Sequence, residues 1–332
     1  MPFEHGSVFH TVWPPAGSAE VDHDWHLFGT GRQALRALVS MHSWRRVWVP
    51  TYYCHDVTAT LRQVCDVQLY EAAPFDDTID LEADRDEAVV VVEYFGLRSS
   101  VTVHGGHVLL DLTHDPGAMY VYERPPDFSF ASLRKTLPTP DGGAVWSVTG
   151  RELPPEEAVT AEHALAALDM LTGMSMKASY LIGESVPKAA FRSLVQRGED
   201  GLSSGAESGI SDWSRWAVSH ADFETRGARR RENVASFVDA WCTVDGIEVI
   251  ATPAYVCLLA RSADVRDEVR DGLIARSVYP AILWPLDGND VPSRHRELSE
   301  RILLLHADDR YTAADMSRTA DLTAQAVSLV AS

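Results

Sequence analysis

The chain has 332 residues, 45% of them apolar and 23% charged, a composition that can bury a large core and lies outside the disordered range. Its 29 basic and 48 acidic residues give a net charge of −19, which repels phosphate backbones and anionic membrane surfaces, so neither nucleic acid nor a membrane is an expected partner. No apolar run approaches the roughly 18 residues of a membrane span, Met1-Pro2-Phe3-Glu4-His5 has no leader pattern, and Cys54, Cys65, Cys242 and Cys257 are widely spaced with no C-x-x-C pair, so a cytoplasmic protein with reduced thiols is expected.

In chain order, Gly29-Thr30-Gly31-Arg32-Gln33-Ala34 fits G-x-G-x-x-A and opens a stretch, 31–43, with apolar residues at helical spacing. The preceding residues 23–28 are poor strand material and no acidic residue stands near Val49, so a dinucleotide turn is disfavoured. What remains is a helix start whose backbone N–H groups can hold a single phosphate, set against an ordinary Gly-rich N-cap. Residues 47–49, 67–70, 88–95, 108–110 and 119–122 read as strands, and 56–64 as a helix. Ala88-Val89-Val90-Val91-Val92 is apolar on both faces, as a central parallel strand is, and the alternation predicts a mainly parallel sheet with helices on its faces.

Beyond residue 154 the pattern predicts helices over 156–171 and 177–195, a Gly/Ser-rich loop over 198–209 and a helix over 212–223. A helical linker, 226–241, carries Arg229-Arg230-Arg231, read as a solvated face. Strands over 247–250 and 255–260 and helices over 263–276 and 313–330 predict a second α/β lobe, dividing the chain into 1–225 and 226–332.

Two positions carry candidate chemistry. Asp111 ends the 108–110 strand, with His114 three residues on, and ligands of open α/β sheets bind at the carboxyl ends of strands. An Asp capping the following turn is the alternative. A zinc site using Asp111, His114 and His104 or His107 matches no metal spacing, and no metal is expected. Only three lysines exist, Lys135, Lys177 and Lys188. Lys135 lies in a segment, 128–143, rich in Gly and Pro yet apolar, which predicts a partly buried, structured loop. A desolvated amine there can form a Schiff base with an aldehyde, with Ser132 close enough to share a phosphate; an exposed surface lysine is the alternative. His23, His26, His104 and His107 read as surface or loop residues, and Trp213 and Trp216 as core or interface anchors.

Taken together and in order, the turn at 29–35, Val49-Pro50-Thr51-Tyr52-Tyr53-Cys54, Tyr94-Phe95-Gly96, Asp111-Leu112-Thr113-His114 and the segment 135–143 resemble the sugar-aminotransferase (DegT/StrS-like) family of fold-type I pyridoxal phosphate enzymes. Arg229 to Asn233 is similar to the start of that family's interdomain helix, and 302–305 with Arg310-Tyr311 and Asp315-Met316 to its C-terminal lobe, so the resemblance spans most of the chain. It implies an aspartate aminotransferase-like fold, with a three-layer α/β/α large domain and a smaller C-terminal α/β domain. It also implies pyridoxal 5′-phosphate as cofactor and a homodimer with active sites at the subunit interface.

Carried over by position, Lys135 matches the lysine that binds the cofactor as a Schiff base. Asp111 matches the carboxylate paired with the pyridinium nitrogen, and His114 the residue near the phenolic oxygen. Thr30 and Gly31 match the phosphate turn, and Ser132 a further phosphate ligand. Tyr53 or Cys54 falls at the ring-stacking position, both remaining open. Residues 210–214 resemble the segment that reaches into the neighbouring site, with Ser214 where many members have Asn.

The implied activity is transfer of an amino group from an amino acid donor to a keto group of a sugar, cyclitol or other small biosynthetic intermediate. The alternative is a lyase or carbon–carbon bond enzyme on the same cofactor; a binding scaffold without turnover and a nicotinamide oxidoreductase are the competing classes. The chain departs from the family pattern in a shorter 76–96 stretch, in the 94–107 region, and in Ala131-Ser132-Leu133-Arg134 ahead of the lysine, which leaves the substrate open.

Overall fold

A computed structural model describes residues 3–12, 20–21, 23–118, 121–204, 207–286, 288 and 290–329. The chain begins with two short strands, β1 (His5–Gly6) and β2 (His26–Phe28), the second within a stretch expected to be unsuited to a strand. β2 is an antiparallel edge strand, which asks little of its side chains. Helix α1 (Gly31–His42) follows, capped by the Thr30 hydroxyl on the Gln33 N–H, with Ala34, Leu35, Leu38 and Val39 on its buried face. Then come β3 (Arg46–Pro50), α2 (His55–Leu61), β4 (Asp66–Tyr70), β5 (Ile79–Val92), β6 (Val101–Asp111), β7 (Phe128–Ser132) and β8 (Gly143–Trp146).

These strands form a seven-stranded sheet of order β2-β8-β7-β6-β5-β3-β4, parallel from β7 through β4 and antiparallel at β8 and β2. Val90 and Val92 of β5 enter a core shared with Leu35 and Leu38, while Val89 and Val91 enter an opposite one that includes Val218 and Phe223. Period-two alternation on a strand apolar throughout thus places the sheet between two helical layers.

The connection 93–100 reaches at most roughly 30 Å, short of the ~45 Å of a flat strand the length of β5. The β5–β6 pair therefore turns a corner, at a register shift between Ala83 and Ala88 and at Gly105 and Gly106, whose φ values are 79° and 45°. A Cβ at Gly105 would lie 2.2 Å from the Ala83 carbonyl oxygen, so only glycine serves there.

Several expectations are corrected. Of the strand expected over 119–122, residues 119 and 120 lie outside the described residues, and Val121 and Tyr122 are not in a strand. The strand forms instead at β7, within the segment read as a loop, where four of five residues are buried. Helix α3 (Ala161–Leu181) starts later than expected, at the Thr160 cap, and α4 (Lys188–Ser204) is separate from it because Gly183 takes a positive φ (94°) and Pro187 precedes the new helix. α4 also takes in residues 198–204 of the expected 198–209 loop. Its glycines permit close packing: a Cβ at Gly198 would lie 2.9 Å from the Ala166 carbonyl oxygen and the Met170 nitrogen of α3.

Helix α5 (Asp212–Ser219) ends before α6 (Phe223–Ala240), whose inner face includes Arg230. Only Arg229 and Arg231 of the basic cluster are exposed, since the helical period turns one of three consecutive residues inward. Trp216 is exposed and Trp213 half-buried, so neither is a core anchor within this chain. The remaining elements are β9 (Ile247–Ala251), β10 (Tyr255–Ala260), α7 (Ala263–Ala275), β11 (Val278–Tyr279), α8 (Ser293–Arg301), β12 (Ile302–His306) and α9 (Ala313–Ser328). An antiparallel sheet β12-β10-β9 packs on α6, α7 and α9, and β1 pairs with β11, tying the N-terminal arm to the C-terminal part.

Candidate active site

Asp111 is the last residue of β6, buried at the carboxyl edge of the parallel sheet. One oxygen accepts the Thr113 N–H at 2.9 Å; the other accepts the hydroxyl of Tyr53, from the loop after β3. Burial pushes the Asp111 carboxyl above its ordinary range, opposed by these hydrogen bonds. The Thr113 hydroxyl accepts the Ser132 N–H at 3.0 Å, joining the end of β7 to the turn after β6.

His114 is buried, and its Nδ1 accepts the Phe95 N–H at 2.9 Å, which places the proton of the neutral ring on Nε2. Burial, and after it the charge of Lys135, holds the imidazole down at about 3. The ring lies between Phe95 and Trp284, with centroids 5.6 and 5.9 Å away. Buried Arg230 fixes this turn from α6, donating to the His114 carbonyl at 3.0 Å and to the Asp115 carboxylate.

Lys135 closes a 3-10 turn, Leu133–Lys135, that leaves β7. Lys177 and Lys188 are both bound to Glu4, each at 2.8 Å, whereas the Lys135 ammonium has no hydrogen-bond or ion-pair partner among the described residues. It lies deep in the fold yet is exposed, because it stands in a cavity of about 220 Å³. The Arg134 guanidinium beside it, and then burial, lower its pKa to about 8.

The start of α1 adjoins the same strand end. A Cβ at Gly31 would lie 2.8 Å from the Ser132 Cβ, so the absent side chain lets the turn at Thr30 and Gly31 abut Ser132. Tyr53 reaches Asp111 through its hydroxyl, whereas Cys54 is half-buried just before α2, where burial pushes its thiol up. Ser214 is elsewhere. Its hydroxyl donates to Asp141 in a buried cluster completed by Ser211 and His163, and it does not line the cavity at Lys135.

Sequence reasoning missed several groups around the cavity. Arg134 makes a two-pronged pair with Glu199, both bonds 2.6 Å, from the part of α4 expected to be loop. Tyr255, Leu283 and His306 come from the C-terminal part, and Ser7 to Phe9 from the arm. Arg134 had one local signal, its place beside Lys135; the others are brought in by tertiary folding.

Neither a family model nor a curated protein matches the chain. Among solved structures, the chain is similar to the putative sugar aminotransferase Spr1654 from Streptococcus pneumoniae in its PMP form, with a TM-score of 0.59, 11% identity, and coverage of 95% of this chain and 94% of that one. It is similar to Helicobacter pylori PseC, an aminotransferase involved in the biosynthesis of pseudoaminic acid, with a TM-score of 0.57, 12% identity and coverage of 93% and 88%. For DesI in the presence of its TDP-sugar product the TM-score is 0.54, the identity 19% and the coverage 95% and 84%. At these identities the likeness establishes the fold, which is the one expected from the sequence, a central sheet between helical layers with a smaller C-terminal α/β part.

Proposed function

We propose that the protein is a pyridoxal phosphate-dependent aminotransferase of the sugar-aminotransferase (DegT/StrS-like) type, with Lys135 as the residue that binds the cofactor covalently. The observation that carries this reading is the state of Lys135: without a partner among the described residues, exposed inside a cavity and lowered to about 8, while the other two lysines are both ion-paired to Glu4. The fold, shared with solved sugar aminotransferases, supports it.

The residues fit the cofactor. At Gly31 a Cβ would strike Ser132 at 2.8 Å, so the glycine is what lets the positive end of α1 pack beside Ser132, and the backbone N–H groups of that helix start with the Ser132 hydroxyl are the groups that would hold a phosphate. Asp111 keeps acceptor capacity beyond its two hydrogen bonds. When bound, pyridoxal phosphate supplies an electrophilic carbon for amine capture and an electron sink for charge left on the substrate.

Asp111 would hold the proton at the ring nitrogen, and the Nε2–H of His114 would meet the phenolic oxygen. Lys135 Nζ, released as the incoming amine takes its place, would accept the proton from the substrate carbon and return it. An amine near 8 suits both duties, since an appreciable fraction is neutral at physiological pH. We extend the reading to a cytoplasmic homodimer, to units 1–225 and 226–332, and to an amino acid donor with a small keto acceptor.

The test is visible absorbance of the purified protein before and after borohydride, followed by peptide mapping. A yellow protein whose reduced label maps to Lys135 is expected. A protein that stays colourless and forms no adduct after incubation with pyridoxal phosphate would overturn the reading.

A further inference from the structure

We infer that the turn 93–99 is a positioning element for the site, with Glu93 as the latch that holds Phe95 against His114; this rests on the function proposed above for the duty given to His114. Tyr94-Phe95-Gly96 carries part of the family resemblance, yet that function assigns the three residues no role.

The backbone of Phe95 is the first argument. Its φ is 58° and its ψ 22°, the left-handed region that a bulky residue rarely enters, and its ring is wholly buried. Such a conformation persists only where the surroundings over-determine it. Both backbone groups of Phe95 are committed outside the turn: the N–H donates to His114 Nδ1 at 2.9 Å, and the carbonyl accepts the Ala254 N–H, just ahead of β10, at 3.1 Å. Its ring stacks on His114 and meets Tyr255 edge-on. His114 therefore owes both its ring plane and the proton on Nε2 to a residue held in an unfavourable shape.

The side chain of Glu93 is the second. It is wholly buried just past the carboxyl end of β5, and no cation forms an ion pair with it among the described residues. Its two oxygens instead take two donors, the Ser99 N–H at 2.7 Å across the turn and the Tyr122 hydroxyl at 2.6 Å from the connection between β6 and β7. Burial pushes the carboxyl up to about 7, opposed by these donors and by Arg98, whose guanidinium lies over the Tyr122 ring. A carboxyl is a costly group to bury, and an apolar side chain would fill the same space. What the carboxyl adds is a pair of acceptors that closes the turn around Phe95. Glu93, Phe95, Ser99 and Tyr122 do not line the cavity at Lys135, so these contacts stand whatever fills it.

The experiment reads the His114 ring nitrogens by ¹⁵N NMR of the full chain labelled at histidine, assigned by the signals that His114→Gln removes, and the visible absorbance after loading with pyridoxal phosphate. In the wild type, Nδ1 is expected at the shift of an unprotonated nitrogen and Nε2 at that of a protonated one. Glu93→Gln, whose amide oxygen can accept the Ser99 N–H while its NH2 donates to the Tyr122 oxygen, is expected to keep both shifts. Glu93→Ala and, more weakly, Tyr122→Phe are expected to mix the two tautomers, to displace the absorbance band of the loaded protein and to raise the dissociation constant for pyridoxal phosphate at least threefold. Glu93→Ala with His114 still in one tautomer overturns the inference; where that variant does not fold, the same result for Tyr122→Phe overturns it. Glu93→Gln behaving like Glu93→Ala overturns it as well, since the charge and not the pair of hydrogen bonds would then be what matters. A wild-type protein that never loads overturns the proposed function alone, because the ring signals are read on the same chain without the cofactor.

Discussion

The Tyr53 hydroxyl donates to the Asp111 carboxylate, linking the loop after β3 to the end of β6, two strands away in the sheet. The pair is buried, so Asp111 depends on this donor and on the Thr113 N–H for the stability of its charged form. Tyr53→Phe is expected to cost about 1–3 kcal/mol. With the folded-state pKa of Asp111 already raised, the loss is smallest in acid, where the carboxyl is protonated, and grows as pH rises through that folded-state value. Urea unfolding of the variant across pH measures it, and a flat difference would show that the hydrogen bond does not support the charge.

Lys135 and Arg134 are neighbours, and the cation of Arg134 is the main reason the Lys135 amine sits near 8. The rate at which the apoprotein captures pyridoxal phosphate is expected to rise with pH to a midpoint near 8, since the neutral amine is the nucleophile. Arg134→Gln moves that midpoint up toward the ordinary lysine value, and each unit lowers the neutral fraction about tenfold at fixed pH. Glu199→Gln moves it down, because Glu199 opposes the shift. Stopped-flow traces at several pH values separate these cases; both variants moving the midpoint the same way would indicate a structural effect only.

Arg230 and Asp115 form a buried pair beneath His114, with the guanidinium also holding the His114 carbonyl. Arg230→Ala leaves a carboxylate without its cation and is expected to cost about 3–5 kcal/mol. Asp115→Asn combined with Arg230→Met is expected to recover most of that stability but not the retention of cofactor, because the His114 turn still lacks its tether. Chemical unfolding and the amount of pyridoxal phosphate left after dialysis read the two effects.

Legibility in the sequence followed locality. Asp111, His114 and Lys135, on which the proposed function rests, stand in short segments that can be picked out by residue type, and the α1 start is visible in its small residues. Tyr53 and Asp111 are 58 positions apart and Arg134 and Glu199 are 65, so neither pair can be read before strand register and helix packing are known. Arg230 was misread because a run of three like charges looks solvated, although a helix turns one of them inward. The α3–α4 pair was misread for the opposite reason: its glycines look like a loop where they are needed for contact.

Gly198 tests that last point and ties it to the site. On an exposed helix, Gly→Ala stabilises by about 1 kcal/mol. Here the new Cβ meets backbone atoms of Ala166 and Met170, which cannot rotate away. Gly198→Ala is therefore expected to destabilise by about 1–3 kcal/mol as an overpacking change. Gly201→Ala, whose Cβ meets the Ala166 Cβ at 2.7 Å, presses on the same part of α3. Because Glu199 lies between these glycines and holds Arg134, displacing α4 loosens that pair and moves the pH midpoint of cofactor capture as well as the unfolding transition. If Gly198→Ala raises stability and leaves that midpoint at about 8, the close α3–α4 packing does not govern the environment of Lys135.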